Sequence, residues 1–270
     1  MADYRKIGFI GSGKMAGAII KGLVINRIGE SIIATQTEKE GVEEKSKELG
    51  IKIILDNKEL VENSNVIFIA VKPNQVLGVL EEIKPVVTPH HLIVSVAAGV
   101  TISKLEANLP ENARVIRVMP NTPALIGEGM FGITGGSHLY QHDLSIIDSW
   151  LSEIGKCIIF EDEAQLDIVT AISGSGPAFF YKVINDIARA GEKLGMDYDA
   201  ALFLSIQTAI GAAKMAMSCN TPMEELISNV ATKGGCTAVG VDCMNENNSE
   251  KLFYDVIKST TEKAHALGQG

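Results

Sequence analysis

A glycine-rich turn near the start of the chain constrains the fold more than any other feature. Residues 6–18 read KIGFIGSGKMAGA, in which a short apolar run is followed by the pattern G-x-G-x-x-A. Apolar residues at helical spacing follow in 16–26, so the turn joins a predicted strand to a predicted helix. Gly11 permits the tight turn, Gly13 lets a pyrophosphate approach the backbone, and Ala16 lets the helix pack on the strand. We interpret the turn as a dinucleotide-binding site at a helix N-terminus.

Alternation of strands and helices continues to about residue 161. The hydrophobic pattern predicts strands at 7–10, 31–35, 51–55, 65–71, 91–98, 114–119, 130–134 and 156–160. It predicts helices at 16–26, 38–49 and 138–154, and then helices alone at 177–194, 199–217 and 250–267. The sequence therefore predicts an α/β Rossmann-type domain with a mostly parallel sheet at 1–161, followed by an all-α domain at 162–270.

The predicted helix at 199–217 is apolar on nearly every side, broken only by Gln207, Thr208 and Lys214. These polar residues and the many alanines favour burial within protein over a membrane span. One small helical domain can hardly enclose such a helix. We therefore predict that the all-α domain is a dimerisation domain, in which this helix packs against a second copy in a homodimer.

Charge and composition exclude several classes of function. The net charge is −9 and Lys and Arg are not clustered, which argues against nucleic acid or an anionic membrane as partner. The four cysteines lack a C-x-x-C pair and the five histidines lack an H-x-x-x-H pair, so no metal site is expected. No signal peptide precedes the first strand, so we expect a cytoplasmic protein.

The end of the second predicted strand bears on the choice of cofactor. A site for NAD usually has Asp or Glu there, whereas this chain has Thr35, Gln36 and Thr37. The missing carboxylate favours NADPH. NADH stays open as the alternative, because Glu38 and Glu40 follow and no Arg is nearby. A purely structural alternative is that Gln36 and Thr37 cap the helix at 38–49.

Three more strand ends are expected at the same edge of the sheet, where ligands bind. They are followed by Ala70, Val71, Lys72 and Pro73, by Ala98, and by Asn121. We predict that these residues contact the cofactor. The alternatives are a solvated loop lysine at Lys72 and a turn without a ligand around Asn121.

Two glycine-rich stretches in the all-α domain are candidate anion sites. Residues 171–178 place Ser173 and Ser175 in a loop before a helix expected to begin at Pro177, which suits a carboxylate. Residues 229–238 place Gly234 and Gly235 before Thr237, as a nest of N–H groups beside a hydroxyl. An N-cap serine and an ordinary loop are the structural alternatives.

Together the motifs resemble those of the pyrroline-5-carboxylate reductases. They are GSGKMA at 11–16, AVKP at 70–73, AAGVTI at 97–102, RVMPNTPA at 117–124, SGSGPA at 173–178 and GGCT at 234–237. The resemblance covers essentially the whole chain. It implies NAD(P)H-dependent reduction of 1-pyrroline-5-carboxylate to L-proline, the last step of proline biosynthesis. It also implies homodimers that often assemble into decameric rings of five dimers.

The resemblance assigns roles to individual residues. The implied cofactor contacts are Gly11, Ser12, Gly13, Lys14, Met15, Ala16, Gln36, Asn57, Ala70, Val71, Lys72, Pro73, Ala98 and Asn229. The substrate is expected at Cys236 and Thr237, with its carboxylate on the N–H groups of 235–237. Thr237 is the predicted catalytic residue, because its hydroxyl can donate a hydrogen bond to the imine nitrogen. Lys233 and Cys236 depart from the family loop, which commonly reads SPGGTT or SPGGAT.

Other functions remain open at this point. A related imine reductase or a β-hydroxyacid dehydrogenase would share the architecture, and such dehydrogenases generally carry a catalytic lysine on the long helix. Lys182 is the nearest candidate, but it lacks a matching motif. A non-catalytic NADP-binding regulator is the alternative outside enzymes.

Overall fold

The computed structural model describes residues 4–269, and their contacts divide the chain into two compact units. The first unit contains the chain up to Ser175 and again from Thr260 onward, and the second is Gly176–Ser259. Residues just after 161 pack on the sheet, since a Cβ built at Gly132 would lie 3.0 Å from Leu166 Cδ2 and 2.8 Å from Val169 Cγ1. The domain boundary at 161 stays a prediction.

The first unit is built on one eight-stranded sheet. The strands are β1 (Lys6–Ile10), β2 (Ser31–Thr35), β3 (Lys52–Ile54), β4 (Val66–Ile69), β5 (Leu92–Ser95), β6 (Arg114–Met119), β7 (Gly129–Gly135) and β8 (Gly155–Ile159). Their order is β3-β2-β1-β4-β5-β6-β7-β8, and only the β6–β7 pair is antiparallel. The predicted Rossmann-type, mostly parallel sheet is confirmed, and the carboxyl ends of β1, β2, β4, β5 and β6 share one edge.

Both faces of this sheet are buried. Phe9 and Phe68, from neighbouring strands, stack with ring centroids 4.5 Å apart on one face. Ile10 and Ile69 follow them in sequence and pack in a second core cluster on the other face. Burial on both faces is why the central strands are apolar at almost every position.

Seven α-helices lie entirely within the described part of the first unit. They are α1 (Lys14–Ile25), α2 (Val42–Leu49), α3 (Asn57–Glu62), α4 (Val76–Ile83), α5 (Ile102–Ala107), α6 (Asp143–Leu151) and α7 (Gln165–Val169). Short 3₁₀-helices cover Pro73–Gln75, Thr122–Ile126 and Ser152–Ile154, and a π-helix covers Thr170–Gly174.

The helix predicted at 38–49 begins later than expected, at Val42. The Gln36 side chain causes the delay, because its Nε2 donates to the carbonyl oxygens of Glu38 and Glu40, at 2.6 and 2.9 Å. The N-cap is Gly41, with a left-handed φ of 76°. The alternative in which Gln36 and Thr37 cap this helix is therefore wrong.

The second unit contains helices only, as predicted. They are α8 (Gly176–Lys193), α9 (Tyr198–Ser218), α10 (Met223–Val230), α11 (Cys236–Glu246) and most of α12 (Ser249–Gln269), whose last turns belong to the first unit. Helices α8 and α9 pack as a pair, with a hydrogen bond of 3.0 Å from Tyr198 Oη to Asn185 Oδ1. The sequence did not predict α10 or α11.

Helix α9 is largely exposed within one chain. In its most apolar stretch of 18 residues, 6% of the residues are buried. By length and composition, α9 is the one described helix that could cross a membrane. Large side chains such as Phe203, Met215 and Met217 are more than half exposed. This exposure is what the predicted homodimer requires, because a second copy would supply the missing cover.

A buried ion pair lies at the amino-terminal end of β6, away from the edge where ligands bind. Arg114 Nη1 is 2.7 Å from Asp143 Oδ1, and both side chains are at most 2% exposed. Arg114 also donates to the carbonyls of Pro89 and His90. Asp143 accepts from Tyr4 Oη at 2.8 Å and from the Tyr140 N–H at 2.7 Å. Every charge in this cluster is thus paired and hydrogen-bonded, as burial requires.

His91, next to this cluster, makes the stability of the fold dependent on pH. Burial lowers the pKa of His91, and the charges of Arg114 and His90 add to the effect. The Thr88 N–H donates to His91 Nδ1 at 2.9 Å, which fixes the neutral form. The pKa of His91 in the folded protein lies below the unfolded value of about 6.5. The contribution of neutral His91 to the free energy of unfolding is therefore present above about pH 6.5 and is lost as the pH falls.

We therefore expect the free energy of unfolding to fall less steeply with decreasing pH in His91→Gln than in the wild type. The range to compare is pH 7.5 to 5.5, about one unit either side of the ordinary histidine pKa. Urea unfolding at both pH values measures this. Replacement of the exposed His138 by glutamine is the control and should leave the slope unchanged. An identical slope in all three proteins would contradict the assignment.

Candidate functional site

The glycine turn after β1 has room for an anion in front of it. Gly11 has a φ of +99°, and a Cβ there would lie 2.7 Å from the Ala70 carbonyl oxygen, so only glycine fits. A Cβ built at Gly13 would meet no atom within 4 Å and would project into open space. Gly13 is the N-cap of α1 and supplies no side-chain cap. The N–H groups of the first turn of α1 are therefore free to bind phosphate, and the turn fits a pyrophosphate.

A cleft of about 520 Å³ in the first unit runs beside this turn. It is lined by Ile10, Gly11, Ser12, Gly13, Thr35, Gln36, Thr37, Lys45, Leu55, Asn57, Ala70, Val71, Lys72, Gln75 and Val79. Eight of the predicted cofactor residues are in this set: Gly11, Ser12, Gly13, Gln36, Asn57, Ala70, Val71 and Lys72. Among the residues that the structure describes, none of those lining the cleft is Asp or Glu. The cleft therefore suits a polyanionic ligand.

A chain of hydrogen bonds holds the turn in place. The Gly11 N–H donates to Thr35 Oγ1 at 3.3 Å, and that hydroxyl donates to Asn57 Oδ1 at 2.7 Å. Asn57 Nδ2 in turn donates to Glu82 Oε2 at 2.9 Å. Asn57 thus positions the turn through Thr35, besides lining the cleft. Thr35 is not among the cofactor residues predicted from the sequence, although a hydroxyl at the carboxyl end of a parallel strand is a usable signal.

The other predicted cofactor residues do not line the cleft. They are Lys14, Met15, Ala16, Pro73, Ala98, Asn121 and Asn229. Ala16 is 1% exposed and belongs to the core, which fits its packing role rather than a ligand contact. Pro73 opens the short helix after β4, as expected. Asn229 lies in the last turn of α10, in the second unit. Cofactor contacts at these residues stay predictions.

The Asn121 side chain is engaged within the protein. Its Oδ1 accepts from the Met130 N–H at 2.9 Å. Its Nδ2 donates to the carbonyl oxygen of Ser173 at 3.3 Å and to Ser173 Oγ at 3.2 Å. Asn121 therefore ties the turn after β6 to the π-helix, and its side chain has little capacity left for a ligand.

The loop expected around Ser173 and Ser175 is helical instead. The π-helix Thr170–Gly174 continues directly from α7, and the Ser175 N–H donates to the Thr170 carbonyl at 2.8 Å. Helix α8 then begins at Gly176, not at Pro177. The prediction of a free helix N-terminus beside both serines is therefore wrong, because the backbone runs on from one helix into the next. Their contact with a substrate stays a prediction.

The second glycine-rich stretch does form an anion-binding geometry in the second unit. Gly234 has a left-handed φ of 78°, and Gly235 is the N-cap of α11 without a side-chain cap. Helix α11 begins at Cys236, has no acidic residue in its first turn, and exposes Thr237. The first N–H groups of α11 have no partner within the helix and face solvent at its positive end.

One detail of the predicted nest of N–H groups at 235–237 is wrong. The Gly235 N–H donates to the Thr232 carbonyl at 2.9 Å, so it is not available for a carboxylate. The N–H groups of Cys236 and Thr237 remain. The exposed Lys233 adds a positive charge to the same loop. Substrate binding by Gly234, Gly235, Cys236 and Thr237 stays a prediction.

Lys182, the candidate for a dehydrogenase lysine, is engaged on the surface of α8. Its Nζ lies 2.6 Å from Asp186 Oδ1 in an i, i+4 pair, and both side chains are more than half exposed. This is an ordinary helix-surface ion pair. No described residue around it marks it as a catalytic group.

Comparison with known proteins shows similarity over both units. Residues 6–99 match a family model described as NADP oxidoreductase, coenzyme F420-dependent, and residues 163–267 match one described as pyrroline-5-carboxylate reductase dimerisation. The pyrroline-5-carboxylate reductase of Methanosarcina acetivorans is 36% identical over 269 residues, covering 99% of each chain.

Solved structures agree with these matches. A pyrroline-5-carboxylate reductase from Coxiella burnetii superposes with a TM-score of 0.92 at 30% identity, covering 98% of this chain and 99% of its own. Plasmodium falciparum pyrroline carboxylate reductase, with NADP bound, superposes with a TM-score of 0.86 at 30% identity, covering 99% of both chains. The ranges matched by the two family models contain the glycine turn and the loop before α11.

Proposed function

The chain belongs to the pyrroline-5-carboxylate reductase family, and we infer that it reduces 1-pyrroline-5-carboxylate to L-proline with NADPH, the last step of proline biosynthesis. The observation that carries this inference is the open glycine turn beside a cleft lined by two lysines and by no described carboxylate. The turn and the cleft fit the phosphates and ribose of NADPH. When bound, NADPH supplies a hydride to the electrophilic C5 of the cyclic imine, while the ring nitrogen takes its proton from solvent or carries it already as the iminium.

The groups of this chain act by binding and orientation. The N–H groups at the start of α1 bind the pyrophosphate, and the ends of β2 and β4 contact the rest of the dinucleotide. The N–H groups of Cys236 and Thr237 hold the substrate carboxylate, with Lys233 adding attraction. Thr237 Oγ donates a hydrogen bond to the ring nitrogen, which makes the imine a better hydride acceptor. The first turn of α11 carries no acidic residue, so positioning and electrostatics supply the rate enhancement.

The protein assembles through its helical unit, since residues 163–267 match the family's dimerisation model. We propose a homodimer in which a second copy covers α9, and a further ring of five dimers. The exposed apolar side chains on α8 and α9 support this, among them Phe180 and Phe203. We also propose a cytoplasmic location. The net charge of −9 supports the further proposal that neither an anionic membrane nor nucleic acid is a partner.

Steady-state oxidation of NADPH by the purified protein tests the activity. Turnover with 1-pyrroline-5-carboxylate is the expected result. A parallel panel of 3-hydroxy acids with NADP⁺ tests the dehydrogenase alternative and should give no turnover. Tight binding of NADPH without turnover on any substrate would instead identify a non-catalytic regulator and contradict the proposal.

Thr237→Ala is expected to lower kcat/KM for the cyclic imine by roughly 5- to 150-fold, which corresponds to a loss of about 1–3 kcal/mol of transition-state binding. Thr237→Ser keeps the hydroxyl and should retain most of the activity. NADPH affinity should stay unchanged in both variants. Unaltered kcat/KM in Thr237→Ala would remove the hydroxyl from the mechanism.

A further inference from the structure

We propose that Lys45, on α2, selects the 2′-phosphorylated dinucleotide by binding the phosphate on the adenosine ribose. This inference rests on the proposed function, because it concerns the cofactor of the same reaction. Nothing in the sequence pattern singled out Lys45, which lies ten residues beyond the end of β2.

Lys45 lies at the ribose end of the cleft. In a Rossmann-type fold the residues after the second strand contact the adenosine ribose, and here those residues are Gln36 and Thr37. Both line the cleft together with Lys45. Helix α2 follows them directly and carries Lys45 in its first full turn, where the Lys45 N–H donates to the Gly41 carbonyl at 2.9 Å.

No other described side chain that lines this end of the cleft carries a positive charge, since Thr35, Gln36 and Thr37 are neutral. Gln36 Nε2 is engaged with the carbonyl oxygens of Glu38 and Glu40, so it is not free to donate to a phosphate. Thr35 Oγ1 is engaged with Gly11 and Asn57. Lys72, the second lysine of the cleft, follows β4, on the far side of β1 from β2.

The neighbouring lysines are less suitable. Lys39 and Lys47 line a neighbouring cavity, which adjoins the cleft at Leu55 and is also lined by Glu43 and Glu44. These two carboxylates lie in the first turn of α2 and oppose a phosphate there, both at the lysines and at the helix N-terminus. The described residues that line the cofactor cleft include no such carboxylate, and the carboxylate that pairs with Lys45, that of Glu48, is not among them.

Lys45 can be released to a ligand at small cost. Its Nζ lies 3.0 Å from Glu48 Oε2, while Glu48 Oε1 is paired with Lys21 Nζ, also at 3.0 Å. The hydrogen bonds from Lys21 and Lys45 lower the pKa of Glu48. If Lys45 turns toward a phosphate, Glu48 keeps Lys21 as its partner. An ammonium has three donors, so it can also contact both groups at once.

Fluorescence titration of the full-length protein with NADPH and with NADH tests the assignment without turnover. We expect Lys45→Gln to raise the Kd for NADPH by about tenfold or more, the range for a lost charge-assisted hydrogen bond. The Kd for NADH should change by less than about twofold, since that ligand has no 2′-phosphate. Lys45→Arg keeps the cation and should stay close to the wild type.

Lys47→Gln is the matched control, because it removes the same charge from the same helix outside the cleft. It should leave both dissociation constants unchanged. The fragments 2′,5′-ADP and 5′-AMP sharpen the test, because they differ only by the 2′-phosphate. Lys45→Gln should lower the affinity for 2′,5′-ADP and leave the affinity for 5′-AMP unchanged.

If Lys45→Gln bound NADPH and NADH more weakly to the same extent, Lys45 would contact a phosphate that both ligands share, and the inference would be overturned. Unchanged binding of NADPH in Lys45→Gln would also overturn it. A wild-type protein that binds neither dinucleotide would instead contradict the proposed function, and this inference would fall with it.

Discussion

Replacing Gly13 by aspartate is expected to weaken NADPH binding by about 100-fold or more, about 2.7 kcal/mol, while the protein stays folded. Gly13 has φ −69° and ψ −174°, an extended conformation that any residue adopts. Aspartate is also a favoured N-cap residue, so α1 should be as stable as before. A side chain at residue 13 nevertheless projects into the space meant for the pyrophosphate, and its negative charge repels the phosphates.

Two further glycine variants separate binding from folding. Gly17→Ala, in the same helix, is the matched control, because its Cβ would lie 3.5 Å from Leu49 Cδ2 in ordinary contact. It should leave NADPH binding unchanged. Gly11→Ala should damage both binding and stability, because of its positive φ and the close Ala70 carbonyl. Titration with NADPH and urea unfolding measure the two effects. Normal NADPH binding by Gly13→Asp would show that the turn does not hold the pyrophosphate.

Asp143→Leu is expected to lower the free energy of unfolding by about 3–5 kcal/mol, since it leaves a buried arginine without its counter-charge. Arg114 would lose its 2.7 Å ion pair while its guanidinium stays enclosed. The hydroxyl of Tyr4 and the N–H of Tyr140 would lose their acceptor as well. Burial raises the pKa of Tyr4, and its hydrogen bond to Asp143 adds to the effect, so Tyr4 stays a neutral donor in the native cluster.

Urea unfolding at one fixed protein concentration measures this change, because assembly also contributes to stability. Asp255→Ala is the control, since its pair with Lys251 is exposed, and it should change the free energy of unfolding by less than about 0.5 kcal/mol. The double variant Arg114→Met/Asp143→Leu should recover part of the loss, as both charges are then removed. A change below about 1 kcal/mol in Asp143→Leu would contradict a structural role for the pair.

The sheet could be predicted from the sequence because its central strands are buried on both faces. Strands such as Val66–Ile69 are apolar throughout, and the turns that end them contain Gly or Pro. Their carboxyl ends then locate the cleft, which is why residues such as Lys72 were predicted to lie in it.

The features that could not be predicted depend on contacts that the hydrophobic pattern of the sequence does not encode. The stretch SGSG at 173–176 has the composition of a loop, yet it continues a helix. The Ser175 N–H donates to the carbonyl of Thr170, five residues earlier in the chain. Helix α11 is only weakly amphipathic, so the spacing of its apolar residues did not indicate a helix. Lys45 was missed because its place in the cleft depends on where α2 begins, and the Gln36 side chain fixes that point.

The most direct test of the account is the transfer of label from the cofactor to the product. NADPH carrying deuterium at the transferable position of C4 should give L-proline with deuterium at C5, in step with NADPH oxidation, when 1-pyrroline-5-carboxylate is the substrate. Mass spectrometry of the product measures this. Unlabelled proline, or NADPH that binds to the protein but is never consumed, would contradict hydride transfer to the cyclic imine as the function of this chain.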